Sequence, residues 1–238
     1  MKKINVLLLT LVLTFITSSL FAHALWIETA ATGTIGKEQT VRIYYGEFVE
    51  NERDSVAKWF SDIKDFGLWL VGPDQKRVQL KTRAGINYYE ATFTPTQNGS
   101  YTLAVSHYAK ELGETSRYHF LASAEVSVGK AGNVSASAVN ILQFQKQGAA
   151  GLAQVSKPLQ VKLFTNGTPA AAKKVHVFSP NGWSKEVTTD ASGILSFVPP
   201  VAGRYILEIS DQDKTAGEQG GKKFEDTWNT ASYSVEVK

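Results

Sequence analysis

The sequence contains no cysteine. Thiol catalysis, cysteine-ligated zinc and thiolate copper are therefore excluded, and no disulfide staples the fold. The single methionine is Met1 and there are only four histidines, so imidazole, carboxylate and backbone groups are what remains to bind a metal. No Gly-x-Ser-x-Gly elbow, His-Glu-x-x-His motif or phosphate loop occurs, and the expectation is a protein that binds rather than catalyses. Runs of lysine and arginine interleaved with aromatics are missing too, so neither nucleic acid nor an anionic membrane surface is indicated as a partner.

Long apolar runs are also lacking, except at the amino end. There Lys2 and Lys3 precede an apolar stretch from Val6 to Phe21 that ends in small residues around Ala22 and Ala24. The stretch is short for a bilayer span and has no stop-transfer charges behind it, which makes residues 1–22 a signal peptide. Export to the bacterial periplasm follows, with no transmembrane anchor once the signal is cut. Cleavage after Ala22 leaves His23 as the first residue; cleavage after Ala24, where Ala22-His23-Ala24 has a small-x-small pattern, removes it. Loss of Lys2 and Lys3 takes the formal charge from +3 to +1, so the apparent basicity belongs to targeting.

The remaining two hundred or so residues suffice for real cores, and the pattern is strand-like throughout. Thr40–Tyr45 alternates about β-branched residues, and Gly67–Gly72 is a short apolar run followed by a Pro73-Asp74 turn. Tyr88–Phe93, Gly99–Val105 and Tyr118–Val128 continue the spacing of a sandwich. Residues 158–238 repeat it with Leu159–Phe164, Lys174–Phe178, Lys185–Thr189, Ile194–Val198, Gly203–Ile209 and Ser232–Val237. The Gly-x-Tyr-x-Leu/Ile arrangement of Gly99-Ser-Tyr101 recurs at Gly203-Arg-Tyr205, which suggests one architecture used twice. The expected fold is all-β: two immunoglobulin-like or transthyretin-like β-sandwiches in tandem, over 23–128 and 157–238. Residues 129–156, rich in Ala, Gly, Ser and Gln, read as a linker with one docking segment at Ile141, Leu142 and Phe144. Lys58–Lys64 reads as a short docking helix or loop lid.

Two resemblances add to this. Thr189-Asp-Ala-Ser-Gly193 with Phe197, followed by Gly203-Arg-Tyr205, looks like the turn signature of transthyretin-like and carboxypeptidase-regulatory-like sandwiches, which speaks to fold only. His23-Ala-Leu-Trp26-Ile-Glu28, then Gly46-Glu47-Phe48, resembles the start of a family of exported two-domain bacterial proteins associated with nickel or cobalt uptake. Thr29 stands where that family commonly has Pro, and Ala24 where an acidic residue is frequent. The resemblance implies binding of nickel, cobalt or another divalent transition metal, with a membrane metal-uptake transporter as partner. If His23 becomes the amino terminus, its amino group and imidazole can chelate one metal through two nitrogens, an arrangement that also suits copper.

Further ligands must come from elsewhere in the chain. His107 and His119 flank the segment from Tyr108 to Tyr118 and converge if it closes as a hairpin; Glu28 and Glu47 offer carboxylate oxygen. Each also has an ordinary reading, as a hydrogen-bonded strand histidine or a solvated strand-end carboxylate. His176, between Val175 and Val177, is expected to face solvent. The alternative function is a structural, protein-binding or carbohydrate-binding surface module: five tryptophans are present, with Trp59, Trp183 and Trp228 near apparent loops and Trp26 and Trp69 in apparent cores.

Overall fold

The structure is a computed structural model that describes residues 23–129, 140–148 and 152–238. The expected signal peptide lies outside the described residues. Among the described residues no helix is long and apolar enough to cross a membrane, and the fold is all-β, as the alternation of the sequence implies.

The first strands are β1 (Ala24–Glu28), β2 (Thr32–Gly33) and β3 (Gln39–Gly46). Two single turns of 3-10 helix, Val56–Lys58 and Ile63–Asp65, precede β4 (Leu68–Val71), β5 (Arg77–Leu80), β6 (Arg83–Ala84) and β7 (Tyr89–Phe93). A long hairpin follows, β8 (Gly99–Tyr108) and β9 (Ser116–Val128). Then come β10 (Leu142–Lys146), β11 (Leu159–Thr165), β12 (Thr168–Pro169), β13 (Lys174–Phe178), β14 (Ser184–Thr188) and β15 (Ile194–Phe197). β16 (Gly203–Asp213), the short β17 (Gly217–Gln219) and β18 (Lys222–Phe224), and β19 (Asp226–Val237) complete the order.

One sheet runs through both halves of the chain in the order β14-β13-β16-β19-β9-β8-β4-β5. At its middle β19 and β9 pair in parallel, from Asp226 opposite Ser116 to Ser234 opposite Ala124. Beyond the end of that ladder β2 pairs with the last residues of β9. The order reads as the same motif from either edge. In each half a proline ring, Pro73 or Pro180, lies against the glycine that opens the long strand, Gly99 or Gly203. Two residues on, Tyr101 and Tyr205 donate their hydroxyls to the carbonyls of Gln97 and Val201, four residues upstream. These are the tyrosine corners of immunoglobulin-like sandwiches.

Because side chains alternate along a strand, the shared sheet serves two cores on opposite faces. Phe120, Ala122, Ala124 and Val126 of β9 enter a first core closed by the sheet β1-β3-β7-β6. Leu121 of β9 and Ala231, Tyr233 and Val235 of β19 enter a second, closed by β10, β11 and β15. Phe144 of β10 stacks on Tyr233 at 5.9 Å, so the docking segment inside the expected linker is a strand of the second core. Trp59 and Ile63 of the Lys58–Lys64 segment are buried in the first core, as anchors of 3-10 turns rather than as a lid.

β1 ties the halves together. It is the outer strand of its sheet, so the carbonyls of Leu25 and Ile27 point away from β3 and need donors once buried. The hydroxyls of Ser232 and Ser234 on β19 supply them. On the other face of β1, Trp26 joins Tyr44, Phe178 and Ile206 in a third apolar cluster that draws on both halves.

Candidate metal centre

β3 ends at Gly46, and the loop after it turns back on itself. The Glu52 N–H donates to the Glu47 carbonyl at 2.9 Å, Asn51 to Phe48 at 3.0 Å, and Asp54 to Tyr45 at 2.9 Å. The Trp59 indole N–H holds the far end through the Asp54 carbonyl at 3.1 Å. Gly46 makes the turn possible: its φ is +146°, and a Cβ there would stand 2.5 Å from the Glu52 carbonyl oxygen. Replacing Gly46 with Ala is expected to cost about 1–3 kcal/mol and to open the loop. Thermal unfolding of the variant, read beside its metal affinity, checks both effects.

The fold sets His23 against this loop, because Ala24 pairs with Gly46 in the β1–β3 ladder and His23 is the residue before it. His23 Nδ1 lies 3.5 Å from Glu47 Oε1, and its Nε2 lies 3.5 Å from Asp54 Oδ2. His23, Glu47 and Glu52 each offer a ligand atom, all within 4.8 Å of one another. The Tyr45 ring stands 5.4 Å from the imidazole and connects it to the first core through Trp59 and Phe120. In the second half of the chain, burial and the nearby charge of Glu47 push the Glu208 carboxyl up to about 8. Glu208 is therefore mostly neutral at pH 7, and the carboxyl oxygens nearest the imidazole belong to Glu47, Glu52 and Asp54. One imidazole nitrogen with several carboxylates is a donor set suited to a divalent transition metal.

Of the residues singled out in the sequence, His23 and Glu47 meet here. Glu28 faces away from them: its Oε1 accepts from the Trp26 indole at 2.9 Å and from Arg53 at 3.0 Å. The segment between His107 and His119 does close as a hairpin, but the two imidazoles do not converge. The register sets His107 opposite Phe120 and His119 opposite Tyr108, on opposite faces of the sheet. His107 Nε2 lies 3.2 Å from Asp62. His119 is buried, donates from Nδ1 to Asn229 Oδ1 at 3.0 Å, and accepts from the Ser106 hydroxyl at 2.9 Å. Tyr108 stacks on it at 3.7 Å. Neither shares a partner with His23. His176 is part exposed and stacks on Phe178.

Glu52 and Asp54 were not identified as site residues from the sequence. Their signal is the spacing of acids behind Gly46, at 47, 50, 52 and 54, in a segment too short to be anything but a turn. Among the tryptophans, Trp26 and Trp59 are core, Trp69 is half-buried beneath the Arg77 guanidinium, and Trp183 and Trp228 are partly exposed.

A search of curated proteins returns no match. Among solved structures the chain is similar to fibronectin(III)-like modules of Clostridium thermocellum CbhA, with 10% identity, 89% of this chain and 94% of that chain covered, and a TM-score of 0.23. Residues 20–213, most of the chain, match the family described as a domain of unknown function, DUF4198, and the protein belongs to that family.

Proposed function

We propose that this protein is a periplasmic binding protein that captures a divalent transition metal as cargo and presents it to a membrane uptake transporter. The observation that carries this reading is the convergence of His23, Glu47 and Glu52 on one point, with Asp54 against the second imidazole nitrogen. Cleavage after Ala22 adds the amino nitrogen of His23 to the same site. The β1–β3 ladder favours that cut, because Ala24 is buried and paired with Gly46, and a chain beginning at Leu25 would forfeit the pair. Nickel or cobalt as cargo rests on the likeness of the His23-Trp26-Glu28 motif; on donor chemistry alone copper(II) binds more tightly. The function in this reading is capture rather than catalysis.

Native mass spectrometry of protein taken from the periplasm without chelators reads the mature amino terminus and the metal together. The expected result is a chain starting at His23 with one metal bound. Titration of the stripped protein with nickel, cobalt and copper is expected to show His23→Ala and Glu47→Gln weakening binding at least tenfold, about 1.4 kcal/mol each. A chain starting at Leu25, or metal affinity unchanged in His23→Ala, sinks the proposal.

A further inference from the structure

The loop that carries Glu47, Glu52 and Asp54 on one side borders an open cleft of about 430 Å³ on the other. Phe48, Val49 and Arg53 of the loop form one wall, and Ser179, Asn181 and Arg204 of the second half form the other. The cleft therefore lies where the two halves of the chain meet, a common place for small-molecule sites. Its base is the third apolar cluster, in which Phe48 and Val49 pack half-buried over Trp26, Tyr44, Phe178 and Ile206.

The two arginines of the lining are in different states. Arg53 is occupied: it pairs with Glu28, bonds Asn51 and lies over the rings of Tyr44 and Trp26 at 5.0 and 5.7 Å. The Arg204 guanidinium has no hydrogen-bond or ion-pair partner among the described residues. Its cross-strand neighbour Glu236 uses its carboxylate instead to accept from the Ala31 N–H at 2.9 Å. Asn181 is oriented by the Ser179 hydroxyl, which donates to its Oδ1 and leaves the amide N–H2 unpaired among the described residues. A guanidinium fork and an amide donor beside a half-exposed Phe and Val make a charged end and an apolar end. The Glu28–Arg53 pair is neutral overall, so the lining carries one net positive charge.

We infer that this cleft binds a small organic monocarboxylate, its carboxylate on Arg204 and Asn181 and its apolar part on Phe48 and Val49. Guanidinium meets carboxylate with two parallel hydrogen bonds, and the apolar wall selects an organic anion over an inorganic one. This site is separate from the proposed metal centre and does not require it.

The test is an NMR titration of the full mature chain, stripped of metal, with phenylacetate, phenylacetamide and inorganic phosphate. Phenylacetate is expected to shift the amides of Asn181, Gly182 and Arg204 saturably, and phenylacetamide, which lacks the charge, to leave them in place. Arg204→Gln is expected to weaken phenylacetate at least tenfold, with Arg204→Lys intermediate because it keeps charge without the fork; unchanged melting temperatures establish that both are folded. His23→Ala, which removes the metal nitrogen, is expected to bind phenylacetate as the parent does. No saturable shift, equal affinity in Arg204→Gln, or equal response to phenylacetamide or phosphate overturns the inference, whatever the metal titration shows.

Discussion

Trp26→Ala is expected to lose about 3–5 kcal/mol of unfolding free energy, the usual cost of emptying a fully packed large aromatic site. Trp26 is 1% exposed and in contact from every side. Tyr44 stacks on it at 5.5 Å, Phe48 meets it edge-on at 5.8 Å, and the Arg53 guanidinium covers it at 5.7 Å. Its indole N–H also orients Glu28, which in turn holds Arg53. Tyr44, Phe178 and Ile206 sit on strands whose backbones are fixed by ladder pairing, so the space left behind should fill only in part. Phe48 and Arg53 both lose their support, so the loop from Glu47 to Asp54 should exchange its amide hydrogens faster in the variant. Denaturant unfolding gives the energy and hydrogen exchange gives the location. Trp26→Phe should recover part of the loss, because it restores ring volume without the N–H. A loss below about 1 kcal/mol in Trp26→Ala contradicts the role given to the third cluster as the joint between the halves.

That joint was the part of the fold least legible in the sequence. Strands with clear alternation, such as Gln39–Gly46 and Lys174–Phe178, announce themselves, and the repeated Gly-x-Tyr announces both tyrosine corners. The parallel pairing of β9 with β19 leaves no such trace, since no local pattern names a partner more than a hundred residues away. The alternation of the sequence places the last strand at Ser232–Val237, leaving out Thr227, Asn229 and Thr230. In the structure β19 begins at Asp226, and those polar residues are buried and bonded to Arg117, His119 and Ser210. Of the candidate metal centre, His23 and Glu47 were legible through the amino-terminal motif. Glu52 was not, because it reaches Glu47 only through the backbone turn at Gly46. His107 and His119 illustrate a different limit: a hairpin brings two strands together, but register parity decides whether two side chains share a face.

The stability advantage of the parent chain over His119→Gln is expected to fall by on the order of 3 kcal/mol between pH 7 and pH 4. The cause is the state in which His119 is buried. Its Nδ1–H donates to Asn229 and its Nε2 accepts from Ser106, so both nitrogens are satisfied by the neutral ring. Burial, with the charge of Arg117 nearby, holds the imidazole down at about 4 despite the bond to Asn229, against 6.5 for the free side chain. In the unfolded chain it takes a proton near pH 6.5; in the folded chain it resists until about pH 4. Its contribution is therefore complete above pH 6.5, declines as the pH falls and is gone below about 4, and the two and a half units between correspond to about 3 kcal/mol. Two carboxyls work in the opposite direction: burial pushes Glu125 up to about 7 and Glu208 up to about 8, so each stabilises the fold at low pH and ceases to as the pH rises through those values. The parent's own pH profile therefore mixes opposing trends. The difference between parent and His119→Gln does not, because Glu125 and Glu208 titrate in both proteins and cancel, while glutamine keeps a donor and an acceptor and takes up no proton. Denaturant unfolding of the pair at half-unit steps from pH 7.5 to 4 gives the difference directly. A difference that stays flat would place His119 in water and deny the hydrogen-bonded site that β9 and β19 build around it.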